Sequence, residues 1–191
     1  RQWIHTVRLA QRPDGALPGI VPTAGWGFAW GNGPAWDSVL VEVPYRLYRL
    51  YGEAEVVHEN ADAIRRYFAY IAGLRNEEGL VGIGLGDWCQ TYTRWEGDFE
   101  TPVEVTDSLT MIDLAHKTAE MFEKTGEDAT PVRRFAEEMI RAYRKKYLRQ
   151  GKLTVQTQTA LAMTLHLGVL APEEEDAAFS DLLTLIEGQN C

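Results

Sequence analysis

The feature that most limits how this chain can fold is the rhythm of its connections. Seven stretches carry apolar residues at steps of three and four, the mark of a helix with one buried face, and the segments joining them alternate between long and short. The long segments are Arg12 to Trp36 and Arg75 to Val105, with a moderate one at Gln150 to Val155. The short ones fall at Gly52, at Gly126 to Ala129 and at Gly168 to Ala171. In a run of antiparallel helices alternate connections lie at the same end, so the long loops are expected to share one face. The helices entered from long loops are the less charged ones, which predicts an inner layer and a more polar outer layer. The expected fold is all-α, on the plan of an (α/α) toroid, with about seven helices and no convincing strand.

Individual helices are marked at their ends. Thr130 is a good N-cap with Pro131 at the first helical position, and Val132, Phe135, Met139, Tyr143 and Tyr147 follow on one stripe until Gly151. Before it, Thr106 or Asp107 reads as the cap of a helix carrying Leu109, Ile112, Ala115, Ala119 and Phe122, stopped by Gly126. Glu55 to Leu74 has Val57, Ile64, Phe68 and Ile71 on one face. Asp37 to Tyr51 is apolar on more than one side, and its Pro44 removes a backbone donor. Gln156 to Leu167 is nearly uncharged, which predicts burial on every side. Pro172 to Ile186 opens with Glu173, Glu174 and Glu175, favourable at a helix N-terminus, and Phe179, Leu182 and Ile186 are expected to face inward. Arg1 to Gln11 completes the set.

Composition excludes several classes. The 191 residues, 45% of them hydrophobic, suffice for one core, so residues 1–191 are expected to form a single domain. A net charge of -9 with scattered basic residues argues against a nucleic-acid partner. No apolar run is long enough for a bilayer, and neither the two cysteines, Cys89 and Cys191, nor the four histidines have the spacing of a metal site, so neither membrane nor metal is expected. The chain begins without methionine, in what reads as the middle of an amphipathic helix, which suggests a piece of a longer protein.

The chemistry is expected in the loops. Loops this long are uncommon in compact domains unless they are functional, and these two hold five of the six tryptophans. The first brings Trp26, Trp30 and Trp36 to Asp37; the second holds Asp87, Trp88, Tyr92, Trp95, Glu96 and Asp98. A sugar presents a face of C–H groups and an edge of hydroxyls, so its cleft needs flat aromatics beside carboxylates. Trp36, Asp37, Asp87, Trp88, Trp30 and Trp95 are therefore the candidate substrate-binding residues, expected to converge on one face. Each has a plainer reading: a tryptophan can plug a loop onto the helices, Asp37 can cap the following helix, and Asp87 can brace its own turn. Glu96, Asp98 and Glu100 read more readily as a solvated loop.

Five stretches occur in a telling order: DGALPGIVP from Asp14, GPAWDS from Gly33, VPYRLYRLYGE from Val43, GDW from Gly86 and QTQTALAMTLHLGVLAP from Gln156. Together they resemble the middle of the six-hairpin domain of bacterial α-L-rhamnosidases, glycoside hydrolase family 78, over nearly the whole chain. One departure is that Trp36 and Asp37 are adjacent, whereas many members have a residue between them. The resemblance implies a cofactor-free inverting hydrolysis of terminal rhamnose by one carboxylic acid and one carboxylate base. Neither catalytic motif matches a residue here, so no catalytic residue is expected within this fragment. What carries over is the sugar-holding wall, Trp36 with Asp37 and Asp87 with Trp88, which would bind sugar hydroxyls or orient the loops. The alternatives are another (α/α)6 glycosidase of glucoamylase or debranching type, and a non-catalytic carbohydrate-binding helical domain. The compartment stays open between bacterial cytoplasm and periplasm. A partial toroid would also leave Leu161 and Leu165 on an unfinished inner wall, so self-association through its cut edges is expected.

Overall fold

The structure, a computed structural model, describes residues 1–29, 31–88 and 99–188. In chain order these form α1 (Gln2–Ala10), α2 (Pro34–Asp37), α3 (Val39–Tyr51), α4 (Ala54–Gly73), α5 (Val103–Thr125), α6 (Thr130–Tyr147), β1 (Leu148–Arg149), β2 (Lys152–Leu153), α7 (Gln158–His166) and α8 (Pro172–Gly188). All seven expected helices are present, and α2 adds a single turn before α3. The expectation of no strand is corrected by the small antiparallel hairpin β1–β2. Its cause is local: Gln150 and Gly151 both take left-handed conformations, φ 53° and 78°, which fold the chain back and pair Leu148 with Leu153.

The packing gives the two layers. α3 packs on α4, α5 on α6 and α7 on α8, forming three hairpins, while α5 also touches α3 on one side and α7 on the other. The row α3, α5, α7 is the inner layer; α4, α6 and α8 back it. Short turns close two of these hairpins where α3 and α5 end in left-handed glycines, Gly52 and Gly126. Helix α5 is the centre of the core, burying Leu109, Met111, Ile112, Leu114, Ala115, Met121 and Phe122 among others.

Two boundaries differ from the sequence reading. Thr106 and Asp107 do not cap α5, which starts at Val103 and carries both inside it, buried. Thr130 opens α6 instead of capping it, and its N–H donates to Asp128 Oδ1 at 2.9 Å. Burial of the last two helices also differs. On α7 only Ala160, Leu161 and Thr164 are buried, and Ala162 and His166 are exposed. Leu161 is thus a wholly buried core residue and not part of an open wall, while Leu165 is partly buried. On α8 the buried residue is Ala178; Phe179 is 54% exposed and Ile186 is also exposed, with Leu182 only partly covered. An apolar stripe states what a helix can bury, but the neighbours, here α7 and β2, decide what it does bury.

The three loops that enter inner helices open alike. In the first, the Arg12 N–H donates to Ala16 O; in the second, the Asn76 N–H donates to Leu80 O while Asn76 Oδ1 accepts from Glu78 and Leu80; in the third, the turn is the β1–β2 hairpin. Each tight turn delivers a leucine into the core, Leu17, Leu80 and Leu153. The chain is thereby pinned at the base of every loop.

Because α5 contacts both inner neighbours and its own outer partner, truncation there should be felt throughout. Leu109→Ala is expected to destabilise the fold by about 2–5 kcal/mol, whereas Leu50→Ala, at a position 71% exposed, should stay within about 0.5 kcal/mol. Chemical denaturation of the two variants measures the contrast.

Candidate functional site

The second long loop leaves the core along α5. Its sequence Gly82-Ile83-Gly84-Leu85-Gly86 places a glycine at every second position, and each of the three faces the start of α5. A β-carbon at Gly82 would lie 3.0 Å from Glu104 Cα, one at Gly84 3.0 Å from Asp107 Oδ1, and one at Gly86 2.9 Å from Val103 Cγ2. Only glycine lets the backbone come this near. Among the described residues, the segment takes hydrogen bonds from α5 side chains. Ser108 Oγ accepts from the Val81 N–H at 3.1 Å and donates to Val81 O at 3.2 Å. Asp107 Oδ2 accepts from the N–H groups of Ile83 and Gly84, both at 2.8 Å. The polar run read from sequence as a helix cap does cap something, namely the neighbouring loop.

The first long loop meets the second at this point. Gly33, with φ 127°, sits so close to Gly84 that a β-carbon on it would overlap the Gly84 backbone. Gly33 opens α2, and Asp37 at the end of that turn reaches back so that its Oδ2 accepts the Gly33 N–H at 3.1 Å. Trp36 then projects from α2 and Trp88 from two residues beyond Gly86, and the two rings meet edge to face, 6.1 Å between centroids at 66°. Both remain largely open, 44% and 38% exposed, with Asp87 half-buried beside Trp88. The structure thus brings Trp36 and Trp88 together. It places Asp37 differently from a sugar ligand, because that carboxyl is only 2% exposed, and α3 takes no side-chain cap from it. Trp30 and Trp95, with Cys89, Tyr92, Glu96 and Asp98, lie outside the described residues. Among the described residues no group of three or more His, Cys, Asp and Glu is arranged for a metal ion, and no helix is long and apolar enough to cross a membrane.

The family described as the bacterial α-L-rhamnosidase six-hairpin glycosidase domain matches residues 1–191. This chain belongs to that family. Its relatives include an α-L-rhamnosidase of Streptomyces avermitilis, 28% identical over 193 residues that take in 99% of this chain and 18% of that protein. An α-L-rhamnosidase of Formosa agariphila is 25% identical over 190 residues, 96% of this chain and 20% of the relative. The chain therefore spans about a fifth of the length of the curated relatives it matches. Among solved structures, the Streptomyces avermitilis enzyme complexed with L-rhamnose superposes with a TM-score of 0.86 at 26% identity, over 99% of this chain and 18% of that one. The native α-L-rhamnosidase of Aspergillus terreus shares the fold, with a TM-score of 0.87 at 21% identity over 98% of this chain and 23% of that one.

In this rhamnosidase-family domain the loop junction holds two buried carboxyls. Burial pushes Asp37 from an ordinary 3.8 up to about 8, against the opposing bond from Gly33 and the nearby Tyr67 phenol, with the charge of Asp107 adding to the rise. Burial likewise lifts Asp107 to about 6 despite its two N–H donors. The ionisation of Tyr67, on α4, is pushed well up by burial and then by the Asp37 charge. Oδ1 of Asp37, Oδ1 of Asp107 and the Tyr67 hydroxyl are all buried without a hydrogen-bond partner among the described residues. Sequence reading missed Asp107, Ser108 and Tyr67. The signal that could have found the first two is the glycine at every second position, which marks a strand of backbone passing tightly along another element.

Both acids keep a proton in the fold that the unfolded chain releases near 3.8, so their contribution falls as pH rises from about 4 through 8. With about 1.4 kcal/mol for each pKa unit, the loss reaches several kcal/mol. Asp37→Asn, which keeps an acceptor for Gly33 and adds a donor, is expected to narrow the gap between thermal midpoints at pH 5 and pH 8, chiefly by raising the latter. Melting curves at the two pH values check it.

Proposed function

We propose that this chain forms one wall of the sugar cleft in an inverting α-L-rhamnosidase, an enzyme that removes terminal rhamnose from glycosides or polysaccharides without a cofactor. The observation that carries the reading is the open pair of Trp36 and Trp88, contributed by two different loops and standing edge to face above the inner helices. Two rings at an angle offer a corner to the apolar face of a pyranose, and Asp87 beside them can accept from its hydroxyls. Asp37 acts from beneath by orienting the loops. Trp30 and Trp95 stay in the proposal on the strength of their loops alone. Support also comes from the likeness over nearly the full chain to the Streptomyces avermitilis enzyme crystallised with L-rhamnose.

Inverting hydrolysis needs an acid and a base on opposite sides of the scissile bond. Asp37 and Asp107 are both buried, 2% and 0% exposed, and do not reach a glycosidic bond, so this chain's residues bind and orient the sugar while the proton transfers are assigned elsewhere in the enzyme. Accordingly, the 191-residue chain alone is expected to leave an aryl rhamnoside unhydrolysed. Turnover that survives purification and is lost in Asp37→Ala or Glu96→Ala would reverse that assignment. In the enzyme containing this chain, Trp36→Ala and Trp88→Ala should each weaken L-rhamnose binding roughly fivefold, the worth of about 1 kcal/mol of aromatic contact. Titration calorimetry reads the loss, and preserved affinity in both variants would remove the cleft reading. Glucose bound more tightly than rhamnose would favour a glucoamylase-type substrate on the same fold.

Self-association is a second partner reading, favoured by the exposed stripe Phe179, Leu183 and Ile186 on α8. If it holds, sedimentation of the chain depends on concentration and Phe179→Ser with Leu183→Ser abolishes the dependence. A wild-type monomer at all micromolar concentrations would dismiss it.

A further inference from the structure

The buried junction beneath the tryptophans has no role in the reading so far beyond bracing. Its parts come from four places: Asp37 from α2, Asp107 from α5, Tyr67 from α4 and the backbone of Ile83 and Gly84 from the second loop. The path from Asp107 to the cleft is short and stiff. Asp107 Oδ2 holds two consecutive N–H groups; the second belongs to Gly84, whose backbone is packed against Gly33; Gly33 in turn starts the turn that presents Trp36. On the other side Gly86 is wedged against Val103, two residues before Trp88. Any change in how Asp107 holds this segment therefore reaches both rings.

We propose that Asp107 is a positioning residue of the sugar cleft, clasping the second loop through Ile83 and Gly84 so that Trp88 is set against Trp36. This rests on the cleft reading for its use, though not for its geometry. Asp37 is acted on by the Gly33 N–H, by Tyr67 of α4 and by the Asp107 charge, Asp107 by the N–H groups of Ile83 and Gly84, and Tyr70 of α4 also interacts with Asp37. Tyr70 in turn is acted on by Asp14 and Arg12 of the first loop. Among the described residues no lysine, arginine or histidine acts on either carboxyl, and the Asp107 charge raises the proton affinity of Asp37. Ionising Asp107 strengthens its hold on the two N–H groups; protonating it loosens that hold.

The test follows four groups in one nitrogen-15 spectrum of the protein, the backbone N–H of Ile83 and Gly84 and the indole N–H of Trp36 and Trp88, through a pH titration. In wild type all four are expected to share a transition near 6. Asp107→Asn keeps an oxygen to accept both N–H groups, so it should remove that transition from all four while leaving the amides protected from exchange. Asp107→Ala should let the Ile83 and Gly84 amides exchange at least about tenfold faster and shift both indoles. Indoles that stay still while the amides titrate, or that keep wild-type positions when the amides open, overturn the proposal. If Asp107→Ala loses its helical signal, the comparison of wild type with Asp107→Asn decides alone. Added L-rhamnose separates the two readings: indoles that ignore the sugar yet follow the titration of Asp107 would refute the cleft and uphold the clasp.

Discussion

An extended backbone segment that leaves the core beside a helix must find partners for its N–H and C=O groups, and in this chain two adjacent α5 side chains supply them. Ser108 serves Val81 and Asp107 serves Ile83 and Gly84. An unpaired buried N–H would cost on the order of 1–3 kcal/mol, so these bonds decide where the second loop can run. Once it runs there, the close approach of Gly84 to Gly33 fixes the first loop, and the meeting of Trp36 with Trp88 follows. The layers of helices supply the platform, but the position of the rings depends on this one line of contacts.

The arrangement is not the most stable one available to the chain. Two carboxyls and a phenol lie buried with an oxygen of each lacking a partner among the described residues, and burial raises the proton affinity of both acids. A well-packed apolar cluster would avoid that cost. Its retention at the root of the loops, and not in the middle of the helical core, fits a site where placement of aromatic surface matters more than stability. The rest of the core compensates. Helix α5 buries apolar side chains along nearly its whole length, and Leu17, Leu80 and Leu153 anchor the base of each entering loop.

Much of the fold was legible because its determinants are local or periodic. Helical spacing of apolar residues marks seven helices, left-handed glycines mark the ends of α3 and α5, and the alternation of loop lengths implies two layers. Where local signals are ambiguous the reading failed. Thr106 and Asp107 resemble a cap because polar residues before an apolar run usually are one, yet Thr106 donates to Val103 O within α5 and the partners of Asp107 lie in another segment. Phe179 and Ile186 look inward-facing because a stripe is visible in sequence and its covering neighbour is not.

The sequence by itself determined that the chain is helical and two-layered, that it carries two long tryptophan-bearing loops, and that it resembles the rhamnosidase six-hairpin domain. Those properties follow from residue type and spacing, which are properties of short stretches of chain. Tertiary structure alone decided that Trp36 and Trp88 face each other, that Asp37 is turned into the protein, and that Asp107 is the residue holding the junction. Each of these joins residues far apart in sequence through backbone contacts at glycine, and such contacts leave no periodic trace because what defines them is the absence of a side chain.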